Sequence, residues 1–185
     1  MKIRPLRITR LLPAAMLAAT AVHLPAIPQT PGDPVRHSLE QAPPGQEEAN
    51  RQFVTSAIER WAAGGSEFFN EVLSEDVVWT IEGSSQSSGI YRGRSDFVVR
   101  AVAPFAIRLS QPIRPVEWQI WADGDHVIIN WKGKGVARDG APYGNTYVWI
   151  LRMENGKAAE VSAFLDLAPY EDVIQRIPAP ASERN

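Results

Sequence analysis

Two carboxylates in this sequence stand where proton chemistry could be done. Glu82 follows the apolar and β-branched run Val77-Val78-Trp79-Thr80-Ile81, and Asp166 lies in VSAFLDLA, on the same side as Ser162 and Phe164 by strand alternation. A carboxyl group set among aromatic rings in a concave site loses solvation, so its pKa rises and it can shuttle protons near neutral pH. The plain alternatives are a solvated loop acid for Glu82, and for Asp166 a helix cap or an arginine partner. Other acids have local explanations. Asp123, Asp125, Asp139 and Glu154 belong to turns, where short polar side chains hydrogen-bond nearby backbone.

Composition removes most other chemistries. The 185 residues include no cysteine, which excludes thiolate metal sites, disulfides and a cysteine nucleophile. The three histidines are His23, His37 and His126, and only His126 falls within the patterned part of the chain. Multi-histidine zinc and iron sites cannot be built from one imidazole, and His126 stands in no nucleophile-elbow context. The loop GSSQSSG spaces Gly83 and Gly89 by five residues with no Lys-Ser/Thr after them, so it does not read as a phosphate cradle. No metal or cofactor is expected.

Aromatic residues offer a different function. Trp79, Trp118, Trp121, Trp131, Tyr147 and Trp149 all fall in predicted strands. Tyr147 and Trp149 share a face with Asn145 and Leu151, while Asn130 and Lys132 share a face opposite Trp131. Rings beside an amide are what a largely apolar pocket uses to hold and orient a ligand. Trp79, Asn130, Asn145, Tyr147, Trp149 and Phe164 are therefore the candidate ligand-binding residues. Core packing or a dimer interface is the competing use of such rings.

These residues need elements to position them. Phe53, Val54, Ala57, Ile58 and Trp61 recur at helical spacing until Gly64-Gly65 stops the helix. Ser66 is the expected N-cap of a short second helix burying Phe68, Phe69, Val72 and Leu73, and Ser95 that of a third, ended or kinked at Pro104. Strands are expected at Val77–Ile81 and then at RPVEWQIWA, HVIINWKGKGVA, APYGNTYVWILRM and KAAEVSAFLDL, joined by the turns DGD, RDG and ENG. A last helix covers PYEDVIQRI. Helices first and a meander afterwards make an α+β domain.

The N-terminal segment has another character. MKIRPLRITR is basic, LLPAAMLAATAVHLPA is apolar but shorter than a membrane span, and Ala19-Thr20-Ala21 offers a small-residue cleavage site. Residues 1–26 read as a secretory signal peptide, 27–46 as a flexible Pro/Gly-rich linker, 47–177 as the domain and 178–185 as a tail. The mature protein is expected to be periplasmic or secreted, with no membrane association after cleavage. Removing residues 1–26 takes away Lys2, Arg4, Arg7 and Arg10 but no acid, which moves the formal charge from −2 to −6. A mildly acidic domain without a basic stripe is not built for nucleic acid.

The segments SEDVVWTIEGSSQSSGIYRGRSDF and GAPYGNTYVWILRMENGKAAEVSAFLD together resemble the SnoaL-like, ketosteroid-isomerase-related proteins of the nuclear transport factor 2-like superfamily. The resemblance extends over about Glu47 to Ile177. It implies a cystatin-like α+β roll: a cone-shaped, curved antiparallel sheet with helices packed on its concave face, a deep pocket, and dimers that pair through their sheets. The working groups of two enzyme types in this family are missing. The steroid-isomerase base falls at Thr80 or Ile81, its oxyanion Asp at Trp149 and its first-helix Tyr at Ala57. The Asp-Arg-Asp set of limonene-epoxide hydrolases falls near Asn130, Lys132 and Ala163. Glu82, one residue past the isomerase base position, stays open as a shifted base. The resemblance thus implies a pocket for a small apolar or aromatic molecule. Cofactor-independent isomerisation, cyclisation or hydration would use Asp166 or Glu82; the rival is a non-catalytic binding or dimerisation module whose pocket is filled by its own side chains.

Overall fold

A computed structural model of the chain describes residues 45–179. The expected signal peptide, nearly all of the linker and most of the tail lie outside these residues. Helix α1 spans Gln46–Ala62 and α2 Phe68–Val72, followed by strands β1 (Leu73–Ile81) and β2 (Gly89–Arg92). A composite helix comes next, α3 (Arg94–Phe97) and α4 (Ala103–Ala106) joined by a π-helical turn at Val98–Val102. Four long strands follow, β3 (Leu109–Asp123), β4 (His126–Ala137), β5 (Pro142–Glu154) and β6 (Lys157–Leu165), and α5 (Leu167–Arg176) ends the fold.

The six strands form one sheet in the order β2-β1-β6-β5-β4-β3. β1 runs parallel to β6, and all other neighbours are antiparallel. Turn chemistry sets the register of the meander. Asn155 (φ 51°) and Gly156 (φ 74°) both take left-handed conformations, so β5 and β6 are joined by a tight primed turn whose twist matches that of the strands. Asp139 accepts from the Ala141 N–H at 3.0 Å in the β4–β5 turn, which pairs Val136 with Pro142 and, further along, Trp131 with Tyr147.

Two elements depart from the sequence expectation for one reason, the missing N–H of proline. β3 begins at Leu109 rather than near Arg114, and its pairing with β4 shifts register around Pro112 and Pro115. An edge strand tolerates this because one side of its backbone has no partner to lose. Pro104 does not end the third helix. The Ala103 N–H bonds five residues back to Val98 just before the proline, and the wider π turn carries the chain through. The expected caps also differ: Gly93 (φ 90°) precedes α3, and Glu67 precedes α2 without a side-chain cap bond.

The helices pack on the inner face of the curved sheet. Val54, Ala57, Ile58 and Trp61 of α1 are buried against inward residues of β4 and β5 such as Val127, Ile129 and Leu151. A second apolar cluster joins Phe105, Leu109, Tyr143, Tyr170 and Val173 where α4 and α5 close over the sheet. The Tyr170 hydroxyl donates to the Ala101 carbonyl at 2.8 Å and the Arg108 Nε to the Ile177 carbonyl at 2.7 Å, tying α5 to the composite helix. Between the sheet and this helical cover the molecule is hollow.

Candidate ligand pocket

The cavity measures about 360 Å³, within the size range of small-molecule sites. Its walls come from elements far apart in the chain: Trp61 from α1, Phe69 from α2, Trp79 from β1, Phe97 from α3, and Trp131 and Trp149 from β4 and β5. Ring geometry locks these side chains to one another. Trp79 stacks on Phe97 at 4.0 Å and Trp131 on Tyr147 at 4.1 Å, while Trp149 meets Trp79 and Trp131 edge-on at 5.2 and 4.9 Å. Stacked and edge-to-face pairs each add about 0.5–1.5 kcal/mol beyond area burial. The walls are therefore held in place rather than free to collapse inward.

Few polar groups reach the lining. Arg114 donates to the carbonyls of Gly65 (2.6 Å), Gly64 (3.0 Å) and Trp61 (3.4 Å), so its guanidinium satisfies the open end of α1. Tyr170 is committed to Ala101. Tyr147 shares a 2.9 Å hydrogen bond with Tyr143. Burial pushes the Tyr147 phenol far above its ordinary value, and that of Tyr170 as well, so both stay neutral donors. Among the described residues, no carboxylate or imidazole lines the cavity. Ser66 is the remaining hydroxyl, and it donates to Glu67.

The structure sorts the residues singled out from sequence into two groups. Trp79, Tyr147 and Trp149 are buried and line the cavity. Phe164 does not: it is 46% exposed and lies in a row with Val148, Asn130 and Gln119 on the outer face of the sheet. Asn130 is outward for the same reason, since its neighbour Trp131 points in and alternation forbids both. Asp166 falls beyond the end of β6, where alternation no longer applies. It is the exposed N-cap of α5, accepting from the Ala168 N–H at 3.0 Å. Arg152 and Arg176 pair elsewhere, with Glu160 and Asp172. Glu82 is half-buried at the end of β1, its N–H bonded to the Ala163 carbonyl at 2.9 Å, and it too is absent from the lining. Asn145 stands behind the wall, with its amide on the Tyr143 hydroxyl and the backbone of Asp166.

Sequence reasoning missed Trp131 as a wall, although a signal was present. The RDG turn fixes the β4–β5 pairing, and the residue opposite inward Tyr147 is Trp131. Phe97, Phe105 and Tyr170 carried no comparable signal, because only helix docking aims them at the sheet.

A family model described as SnoaL-like domain matches residues 54–161, more than half of the chain. No curated protein matches the sequence. Among solved structures, an NTF2-like protein from Burkholderia xenovorans superposes with a TM-score of 0.53 at 18% identity, over 69% of this chain and 97% of that one. A protein with a cystatin-like fold from Xanthomonas campestris gives 0.50 at 25% identity, over 68% and 96%. One described as a SnoaL-like polyketide cyclase, from Jannaschia sp. CCS1, gives 0.53 at 16%, over 75% and 99%. With the six-stranded curved sheet, its helical cover and the matched segment in agreement, the chain belongs to the SnoaL-like domain family.

Proposed function

We propose that the domain binds a small, largely apolar or aromatic molecule in its cone cavity. The observation that carries this reading is the coexistence of about 360 Å³ of open space with walls of interlocked aromatic rings. A preformed apolar site favours a ring-bearing guest, because it gains burial without a cost for ordering the walls. Binding fits the lining better than proton transfer does. A shuttle must come within hydrogen-bond reach of its substrate, and Asp166 and Glu82 both stand outside the cavity. The self-filled module is the weaker rival, since the rings stack beside the space instead of occupying it.

The test is a thermal-shift screen of aromatic and alicyclic compounds on the mature chain, wild type beside Ala101→Leu. Ala101 lines the cavity and is buried, so a larger side chain there fills the space without removing a wall. A ligand at a hundred times its Kd stabilises the native state by about 2.7 kcal/mol, several degrees for a domain of this size. Shifts are expected in wild type and not in Ala101→Leu. If no compound class moves the melting point, or if the filled variant responds equally, the pocket reading fails.

Two broader proposals accompany this one. The leader pattern supports export to the periplasm or beyond. The outer sheet face, with Trp121 47% exposed near Ile128, Ile150 and Phe164, supports a homodimer formed by two such faces around a twofold axis.

A further inference from the structure

Among the described residues that line the cavity, Arg114 carries the one charged side chain. The exposure of the lining shows where it stands. Trp79, Trp131, Trp149 and Ala163 are buried, whereas Ser66, Ala106 and Pro112 are exposed and Arg114 is half-buried. The cavity therefore opens between the α1–α2 turn, α4 and the start of β3, with Arg114 at that mouth. A guanidinium carries five N–H donors in one plane. Bonds to the carbonyls of Trp61 and Gly65 occupy Nη1, and a bond to that of Gly64 takes one hydrogen of Nη2. The Nε hydrogen and the second on Nη2 meet no acceptor among the described residues. They sit on neighbouring nitrogens, a pair matched to the two oxygens of a carboxylate. Arg152 and Arg176 pair with Glu160 and Asp172, but among the described residues Arg114 pairs with no acid. The carbonyl end of α1 contributes about half a negative charge, so a net positive field is left at the mouth. Glu67 stands beside Ser66 outside the lining, exposed and held by Ser66 and Asn70 at 2.8 and 2.9 Å. Solvent screens it.

We infer that the ligand is an amphipathic anion, a ring compound whose carboxylate rests on Arg114 at the mouth while its apolar body fills the aromatic cone. This rests on the pocket-binding reading and adds a head group to it. Arg114 determines specificity in this arrangement. The interior fixes which end of the guest enters first, because a carboxylate is too costly to desolvate among rings. The three carbonyl bonds hold the guanidinium still before a ligand arrives, which lowers the cost of ordering it on binding.

Naphthoate and naphthamide test this, because they share a shape and differ in charge, while naphthalene reports the pocket without a head group. Wild type is expected to bind naphthoate about tenfold more tightly than the amide at low salt, the margin of a charged over a neutral hydrogen bond. Raising the ionic strength to about 1 M should shrink that ratio, because an ion pair at an open mouth is screened. Arg114→Gln should bring the ratio to one with amide affinity unchanged. Losing the cap on α1 would weaken all three compounds alike and leave the ratio intact. Arg114→Lys keeps the charge without the planar fork, so a smaller preference should remain. With the salt series it carries the test if Arg114→Gln does not fold. Equal affinities in wild type, or a ratio that survives either high salt or Arg114→Gln, would overturn the head-group assignment and leave the pocket reading standing. Failure of all three compounds to bind wild type overturns the inference together with the pocket.

Discussion

Asp166 shows how one residue's role follows from where its strand stops. Through Leu165 the backbone is extended, and alternation would carry a carboxylate at 166 to the Phe164 side. At 166 the chain turns into α5, and the same carboxylate becomes the acceptor for a helix N–H that would otherwise lack a partner. Asp166→Ala is therefore expected to cost about 1 kcal/mol of stability in denaturant titration, with ligand affinity in the cavity unchanged. A drop in affinity of tenfold or more without unfolding would return Asp166 to the site. The residues legible from sequence were those well inside strands. Tyr147 and Trp149 could be assigned to one face by counting. Phe164 and Asn130 were misplaced because counting gives two faces per strand but does not say which is inward, and only pairing with Tyr147 and Trp149 settles that.

At the scale of elements, the meander was readable because its turns are encoded locally. Asn155-Gly156 needs left-handed backbone at both positions, and few other sequences supply it so readily. β2, the early start of β3 and the π turn were not readable. Each depends on a neighbouring element to accept or replace hydrogen bonds that glycine- and proline-containing segments would otherwise leave unmade. The sheet's outer face belongs to this scale as well. Cross-strand register places Trp121, Ile128 and Ile150 in one row and Phe164 with Val148 in the next. If two copies pair through these rows, Trp121→Arg combined with Phe164→Arg should halve the mass measured by size exclusion with light scattering, with little change in secondary structure. Exposed positions tolerate charge, whereas an apolar interface does not. A wild-type protein that runs as a monomer at micromolar concentration would refute the dimer.

For the molecule as a whole, the proposals combine an exported domain with a preformed greasy cavity. Export is tested by N-terminal sequencing of protein recovered from the periplasm, where the chain should begin between Val22 and Ile27. Recovery of soluble cytoplasmic protein with Met1 intact would reverse that reading. The sequence by itself determined the α+β class, the meander and its turns, the positions of the aromatic residues, and the absence of cysteine and of clustered histidine. Those are properties of single residues and their near neighbours, which local sterics and side-chain chemistry dictate. Only the tertiary structure decided that Trp61, Phe97 and Trp131 meet around an open space, that both candidate acids stand outside it, and that Asn145 joins the lining residue Tyr147 through the Tyr143 hydroxyl. A cavity is the space left between surfaces whose residues lie far apart in the chain. Its contents depend on how helices settle on a curved sheet, a packing outcome that no local pattern records.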